Sequence, residues 1–182
     1  IAQGGSKLGT KPPGTAERLQ LPPARKITLP RPDLSAREAL ELIAPFVSRF
    51  GTAWRLVGLF GGGRLSQSGR LEPGVGVWQF TYMDPNDRSD DAVEVWLFFN
   101  GNLSFHGQSA IGPVTSVRRG IQPLEDNWLD SSEIAEIIYG EPLPHGFNKD
   151  YSLSMFLRPI DGAPLMWKVT RLSVGHPHAS GM

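Results

Sequence analysis

Two stretches of this chain open with the same helix-starting grammar, 95 residues apart. Leu34-Ser35 is followed by Glu38, and Leu129-Asp130 by Glu133. A Ser or Asp at the first cap position accepts from an early helical N–H, and a Glu three residues on reaches back to the cap's own N–H. Behind the first start, Ala39, Leu40, Ile43, Phe46, Val47 and Phe50 recur at helical spacing and predict one apolar face. Pro45 inside that stretch predicts a kink, and Gly51 a stop. Behind the second start, Ile134, Ile137 and Ile138 are expected to face inward, with Gly140 ending the helix.

Strand-like runs follow each helix. After the first come residues 53–60, 76–83, 92–99 and 103–107, and Asn100-Gly101 predicts a two-residue hairpin turn. After the second come residues 151–157 and 165–172 around Asp161-Gly162, with a further short strand expected at 114–119. The expected fold class is α+β: a helix packed on a curved antiparallel meander, repeated in degenerate form. Neither element buries its hydrophobic side alone.

The first 33 residues read differently. They hold six prolines and four glycines, so neither a regular helix nor a central strand can form there. Six basic residues (Lys7, Lys11, Arg18, Arg25, Lys26, Arg31) stand against Glu17 and Asp33, a net charge of +4 on a chain whose total is zero. The expected division is an extended basic tail at 1–33, a first helix-plus-meander unit at 34–120, a shorter helix-plus-hairpin unit at 121–174 and a C-terminal tail at 175–182. Since the hydrophobic periodicity lies inside 34–172, that body is expected to fold without the tail. Leu19, Leu21, Ile27 and Leu29 recur in the tail without a helix or sheet of their own to bury them. Together with Arg25, Lys26 and Arg31 they form the expected partner-binding set, and Arg64 and Arg70, at the rim of a glycine-rich loop, are added as contacts for an acidic partner.

The chain has no cysteine, which removes disulfides, thiol catalysis and cysteine metal sites. No apolar run is long enough to span a membrane. The first residue is Ile1, and a leader removed on export, or a transit peptide removed on organelle import, is the expected history.

Few motifs carry chemistry. The glycine-rich stretch 58–69 lacks the Gly-Lys-Ser/Thr ending of a phosphate loop and is expected to be a hairpin loop. Asp84, Asn86, Asp87, Asp90 and Asp91 fall in one loop, but without the spacing of a calcium-binding hand, so a solvated turn is expected. His176 and His178 lack a third fixed ligand, and His106 and His145 stand alone. No nucleophile elbow is present, and capping accounts for Glu38 and Glu133. No cofactor, metal or catalytic residue is expected. The body is net acidic and the basic tail has no aromatic residue, which argues against nucleic acid. The tryptophans at 54, 78, 96, 128 and 167 are mostly core candidates, with Trp128 placed to cover a helix end.

The order helix-then-antiparallel-strands, with "NWLDSSEIAEII" ahead of the second helix and "PLMWKV" on the last strand, resembles PepSY-like domains and the broader cystatin-like α+β folds. The first unit departs from that pattern in its long loops at 61–75 and 84–91. The resemblance implies an extracytoplasmic, non-catalytic, regulatory or inhibitory protein-binding role. With the basic, proline-rich tail, the expected function is a non-enzymatic structural or accessory subunit of a larger exported assembly, such as a membrane or filament complex, docking on other protein subunits through the N-terminal tail and through sheet and loop surfaces. Two alternatives are a PepSY-like regulatory or peptidase-inhibitory module, and a carrier or enzyme using a helix–sheet cavity.

Overall fold

The computed structural model describes residues 21–84, 91–109, 123–140, 151–158 and 166–173. They form one antiparallel sheet with two helices. In chain order the elements are β1 (Arg25–Lys26), α1 (Ala36–Val47), a 3-10 turn (Ser48–Phe50), β2 (Arg55–Leu65), β3 (Val77–Met83), β4 (Asp91–Phe98), β5 (Asn102–Ser109), α2 (Ser131–Gly140), β6 (Tyr151–Arg158) and β7 (Met166–Ser173). The sheet has seven strands in the order β1-β5-β4-β3-β2-β6-β7. The expected α+β class and the four-strand meander are present. The strands expected of two units share this one sheet, because β2 and β6, each the first strand after a helix, pair through Leu59↔Leu157, Phe60↔Phe156 and Gly61↔Met155.

Side-chain alternation puts the core on the helix side. Trp78, Phe80 and Tyr82 on β3, Val93, Val95 and Leu97 on β4, and Leu103 and Phe105 on β5 are buried together with Ala36, Ala39 and Ile43 of α1. Trp78 is fully buried and lies over Gly61, where any Cβ would come within 2.8 Å of its ring. The glycine-rich stretch is thus not all loop. Gly61 and Gly62 lie in β2, and the absence of a side chain at Gly61 lets the indole reach the backbone.

α1 begins at Ser35 with its full capping box. Pro45 sits in the last turn and withholds the N–H that the carbonyl four residues back would accept, and the chain tightens into the 3-10 turn before Gly51.

Three further expectations are corrected. Asn100-Gly101 does not make a two-residue turn. The register Leu97↔Leu103 leaves three residues between the strands, with Gly101 at φ +83° and its N–H donating to the Phe98 carbonyl at 2.9 Å. That is the three-residue alternative, in which the glycine takes the left-handed position. Ile137 is 54 % exposed, because Ser131 and Ala135 hold the inward stripe of α2 and Ile137 falls to its side. The tail is not separate from the body throughout: Arg25 and Lys26 pair with Leu103 and Asn102, and Ile27 N–H donates to the Gly101 carbonyl at 2.8 Å. Pro22 and Pro23 have no N–H with which to lengthen this ladder, so β1 stays short. The expected strand at 114–119, most of the acidic loop after Asp84, and His145, His176 and His178 lie outside the described residues.

Candidate functional site

The densest polar constellation lies where the two helices meet end to end. Residues 35–38 form a full capping box. At 130–133 one arm of the expected box is present, Glu133 Oε2 accepting from Asp130 N–H at 2.6 Å, while the Asp130 and Ser131 side chains reach across to the first helix instead. Ala36 N–H donates to Ser131 Oγ, and Arg37 N–H to Asp130 Oδ1, both at 2.9 Å. The same Asp130 oxygen accepts from Ser131 N–H at 2.8 Å, and Oδ2 accepts from Ser132 Oγ at 2.9 Å. Ser35 Oγ takes Glu38 N–H at 3.4 Å, which leaves the first three N–H groups of α1 all satisfied, two of them by the other helix. Two positive helix ends facing each other repel, and one carboxylate between them offsets that. Ser35 and Ser131 are both fully buried polar residues, each with its hydrogen bond.

Around this joint Glu38 forms an ion-pair hub. Its Oε2 accepts from its cap residue, Ser35 N–H, at 2.9 Å and pairs with Arg70 Nη1 at 2.8 Å, while Oε1 pairs with Arg31. Arg31 lies 3.7 Å from Asp33, whose carbonyl accepts from Arg70 at 3.3 Å. The Arg31 hydrogen bond, backed by the Ser35 N–H and Arg70, lowers the Glu38 carboxyl to about 2 despite partial desolvation. The same bond raises Arg31. On the other side, the Arg37 guanidinium sits 4.5 Å over the Trp128 ring and donates to the Trp128 and Asp126 carbonyls. Trp128 packs edge-on against Trp167, with centroids 6.0 Å apart. Trp128 therefore does cover the helix joint.

Each indole on the second strand after a helix makes the same bond. Trp78 Nε1–H donates to the Leu34 carbonyl at 3.0 Å, and Trp167 Nε1–H to the Leu129 carbonyl at 2.8 Å. Leu34 and Leu129 are the residues just before the two caps.

The sequence-expected contact residues separate. Leu21, Ile27 and Leu29 pack against the chain's own core. Arg25 lies 5.3 Å from the Phe46 ring centroid, and its Nε is buried without a hydrogen-bond partner. Arg31 and Arg70 converge on Glu38, and Lys26 is exposed. Leu19 and the Arg64 side chain lie outside the described residues. Sequence reading missed Arg70's partner and the role of Ser131, because those contacts join positions 32 and 95 residues apart.

Two further features could host chemistry. An open groove of ≈ 460 Å³ runs beside α1, lined by Pro30, Arg31, Leu34, Glu38, Glu41 and Leu42. On the sheet face away from the helices, Ser104 Oγ and His106 Nε2 are 2.9 Å apart and the His106 ring lies tilted against Trp96, with centroids 4.8 Å apart. Glu94 lies opposite His106 in register, but its carboxylate accepts from Trp96 Nε1–H at 3.0 Å. No described group of three or more His, Asp or Glu residues could hold a metal ion, and no described helix is long and apolar enough to cross a membrane. The joint's carboxylates are already committed to caps and ion pairs, so its chemistry is that of a fastening.

Comparison with protein-family models, with curated proteins and with solved structures finds no match.

Proposed function

We propose that this protein is a non-enzymatic accessory subunit of an extracytoplasmic assembly, a rigid α+β block that docks on other protein subunits through the basic segment leading into it. The observation that carries this reading is the anchoring of residues 21–33. β1 pairs with β5, Leu21, Ile27 and Leu29 lie on the core, and Arg31 is clasped by Glu38. Residue 21 is therefore a fixed point on the body, and the residues that precede it in sequence are the proposed docking segment. That leading segment carries Lys7, Lys11 and Arg18 with Glu17, and Leu19 as an apolar anchor. Its prolines lower the entropy cost of ordering an extended chain on a partner, and its net positive charge suits an acidic surface, which makes association fall with salt.

Within this reading the body is a degenerate tandem repeat. The shared caps, the matched Trp78–Leu34 and Trp167–Leu129 bonds and the β2–β6 pairing support it. The second of those bonds joins the two stretches that resemble PepSY-like domains. This favours, as a second reading, a regulatory or inhibitory binding module of that kind.

The test is deletion of residues 1–20, keeping 21–33, followed by co-purification with native partners at low and high salt. The reading expects loss of partners by the truncated chain, and weakening by salt in the full chain. Equal recovery by both chains in both conditions would leave the leading segment a spacer and remove the main support for the assembly reading.

A further inference from the structure

β3 and β7 hold matching places: each is the second strand after a helix, each pairs with the strand that follows that helix, and each sends an indole to the carbonyl before the helix cap. Their outer edges differ. The far edge of β3 is filled by β4 through seven residue pairs, Val77↔Phe98 to Met83↔Ala92. The far edge of β7 ends the strand order, with nothing paired to it among the described residues. β7 runs eight residues without proline or glycine, and its register with β6 is unbroken from Arg158↔Met166 to Tyr151↔Ser173. Such a straight edge presents a row of free N–H and C=O groups. The opposite edge of the sheet, on β5, is met by β1 at Asn102 and Leu103 alone among the described residues.

We infer that the outer edge of β7 accepts an acidic, extended segment of a partner protein as an added strand. The charge pattern selects this occupant. The strand reads Met-Trp-Lys-Val-Thr-Arg-Leu-Ser, with two basic residues and no acidic one, and Lys168 is exposed. A second copy meeting this edge antiparallel would set basic strand against basic strand, and like charges across a pair destabilise it. An acidic guest meets no such repulsion. The strand seated on the matching edge shows the fitting pattern: in β4, Val93, Val95 and Leu97 enter the core while Glu94 stands on the other face, opposite Thr81. A guest on β7 would likewise alternate apolar residues beside Trp167 and Val169 with acidic ones beside Lys168 and Thr170. Main-chain bonds give such strand addition its affinity, and the alternate side chains its selectivity.

This docking mode rests on reading the chain as a protein-binding module, but it does not depend on the leading segment. A labelled eight-residue peptide alternating valine and glutamate is titrated into the full chain by fluorescence anisotropy, with a valine–lysine peptide as control. Amide hydrogen exchange is followed in the same mixtures. The inference expects the glutamate peptide to bind, to slow exchange in β7 and not in β4, and to bind several-fold more weakly to Lys168→Glu, which keeps the wild-type melting temperature because Lys168 is exposed. Absence of binding, equal binding of the lysine peptide, or undiminished binding to Lys168→Glu overturns it. So does protection of β7 amides by a concentration-dependent dimer without peptide, which assigns the edge to a second copy. None of these outcomes alters what deletion of residues 1–20 does to partner recovery.

Discussion

Glu38 serves three neighbours at once: the Ser35 cap, Arg31 from the anchored segment, and Arg70 from the turn between β2 and β3. Its lowered pKa gives a signed expectation. A carboxyl that titrates near 2 when folded and at 4.5 otherwise stabilises the fold above about pH 4.5 and loses that contribution as the pH falls towards 2. Arg31 and Arg70 face Glu38, and Asp33 and Glu41 lie beside it. The measurement is therefore a comparison of melting temperature against pH for the wild type and Glu38→Gln. The wild type's advantage should shrink between pH 4.5 and 2, and a constant difference would mean that the pairing contributes nothing. Gly101 gives a second residue-scale expectation. A Cβ there would lie 2.2 Å from the Ile27 carbonyl oxygen, on top of the strain of φ +83°, whereas Gly74 at φ +97° has open space around it. Gly74→Ala should cost about 1 kcal/mol, the left-handed strain alone. Gly101→Ala should cost clearly more in denaturant titration, because β1 must also shift. Equal losses would show that β1 does not press on this turn. The capping role of Glu38 was legible from its distance to Ser35, and so was the need for glycine at 101. The arginine partners and the Ile27 carbonyl were not, because nothing local in the sequence records a contact made through the fold.

Among the elements, the two helices and six of the seven strands follow from period and caps. The one missed was β1. Its two residues are too few for any alternation to register, and the surrounding prolines argue for an extended chain with or without a neighbour. Ile137 was misplaced for a related reason. Ten residues make under three turns, and the inward face of so short a helix is set by what its first residue binds. Here Ser131 is fixed by the Ala36 N–H, which brings Ala135 inward. Ser131→Ala tests that joint. The buried Ala36 N–H would lose its acceptor, a cost of about 1–3 kcal/mol. Ser132→Ala, one position along on a residue that is only half-buried, should cost less. The comparison is made by urea unfolding, and similar losses would mean that the crossed caps do not hold the helices together.

At the scale of the whole molecule, one seven-stranded sheet carries both helix-first segments, and the chain enters it at residues 21–33 rather than at the first helix. That point of entry separates an anchored segment from a leading one, and the functional reading depends on the separation. Composition alone gave residues 1–33 a single character, basic and proline-rich, because charge and proline count do not reveal which leucines find a core. The direct test is thermal unfolding of three chains: the full protein, the protein lacking residues 1–20, and the protein lacking residues 1–33. The account predicts the same cooperative transition for the first two. For the third it predicts a lower melting temperature, since Leu21, Ile27, Leu29 and the Arg31–Glu38 pair are lost together. If removing residues 1–33 leaves the melting temperature where removing 1–20 leaves it, residues 21–33 are not part of the folded body, and the account is contradicted at its base.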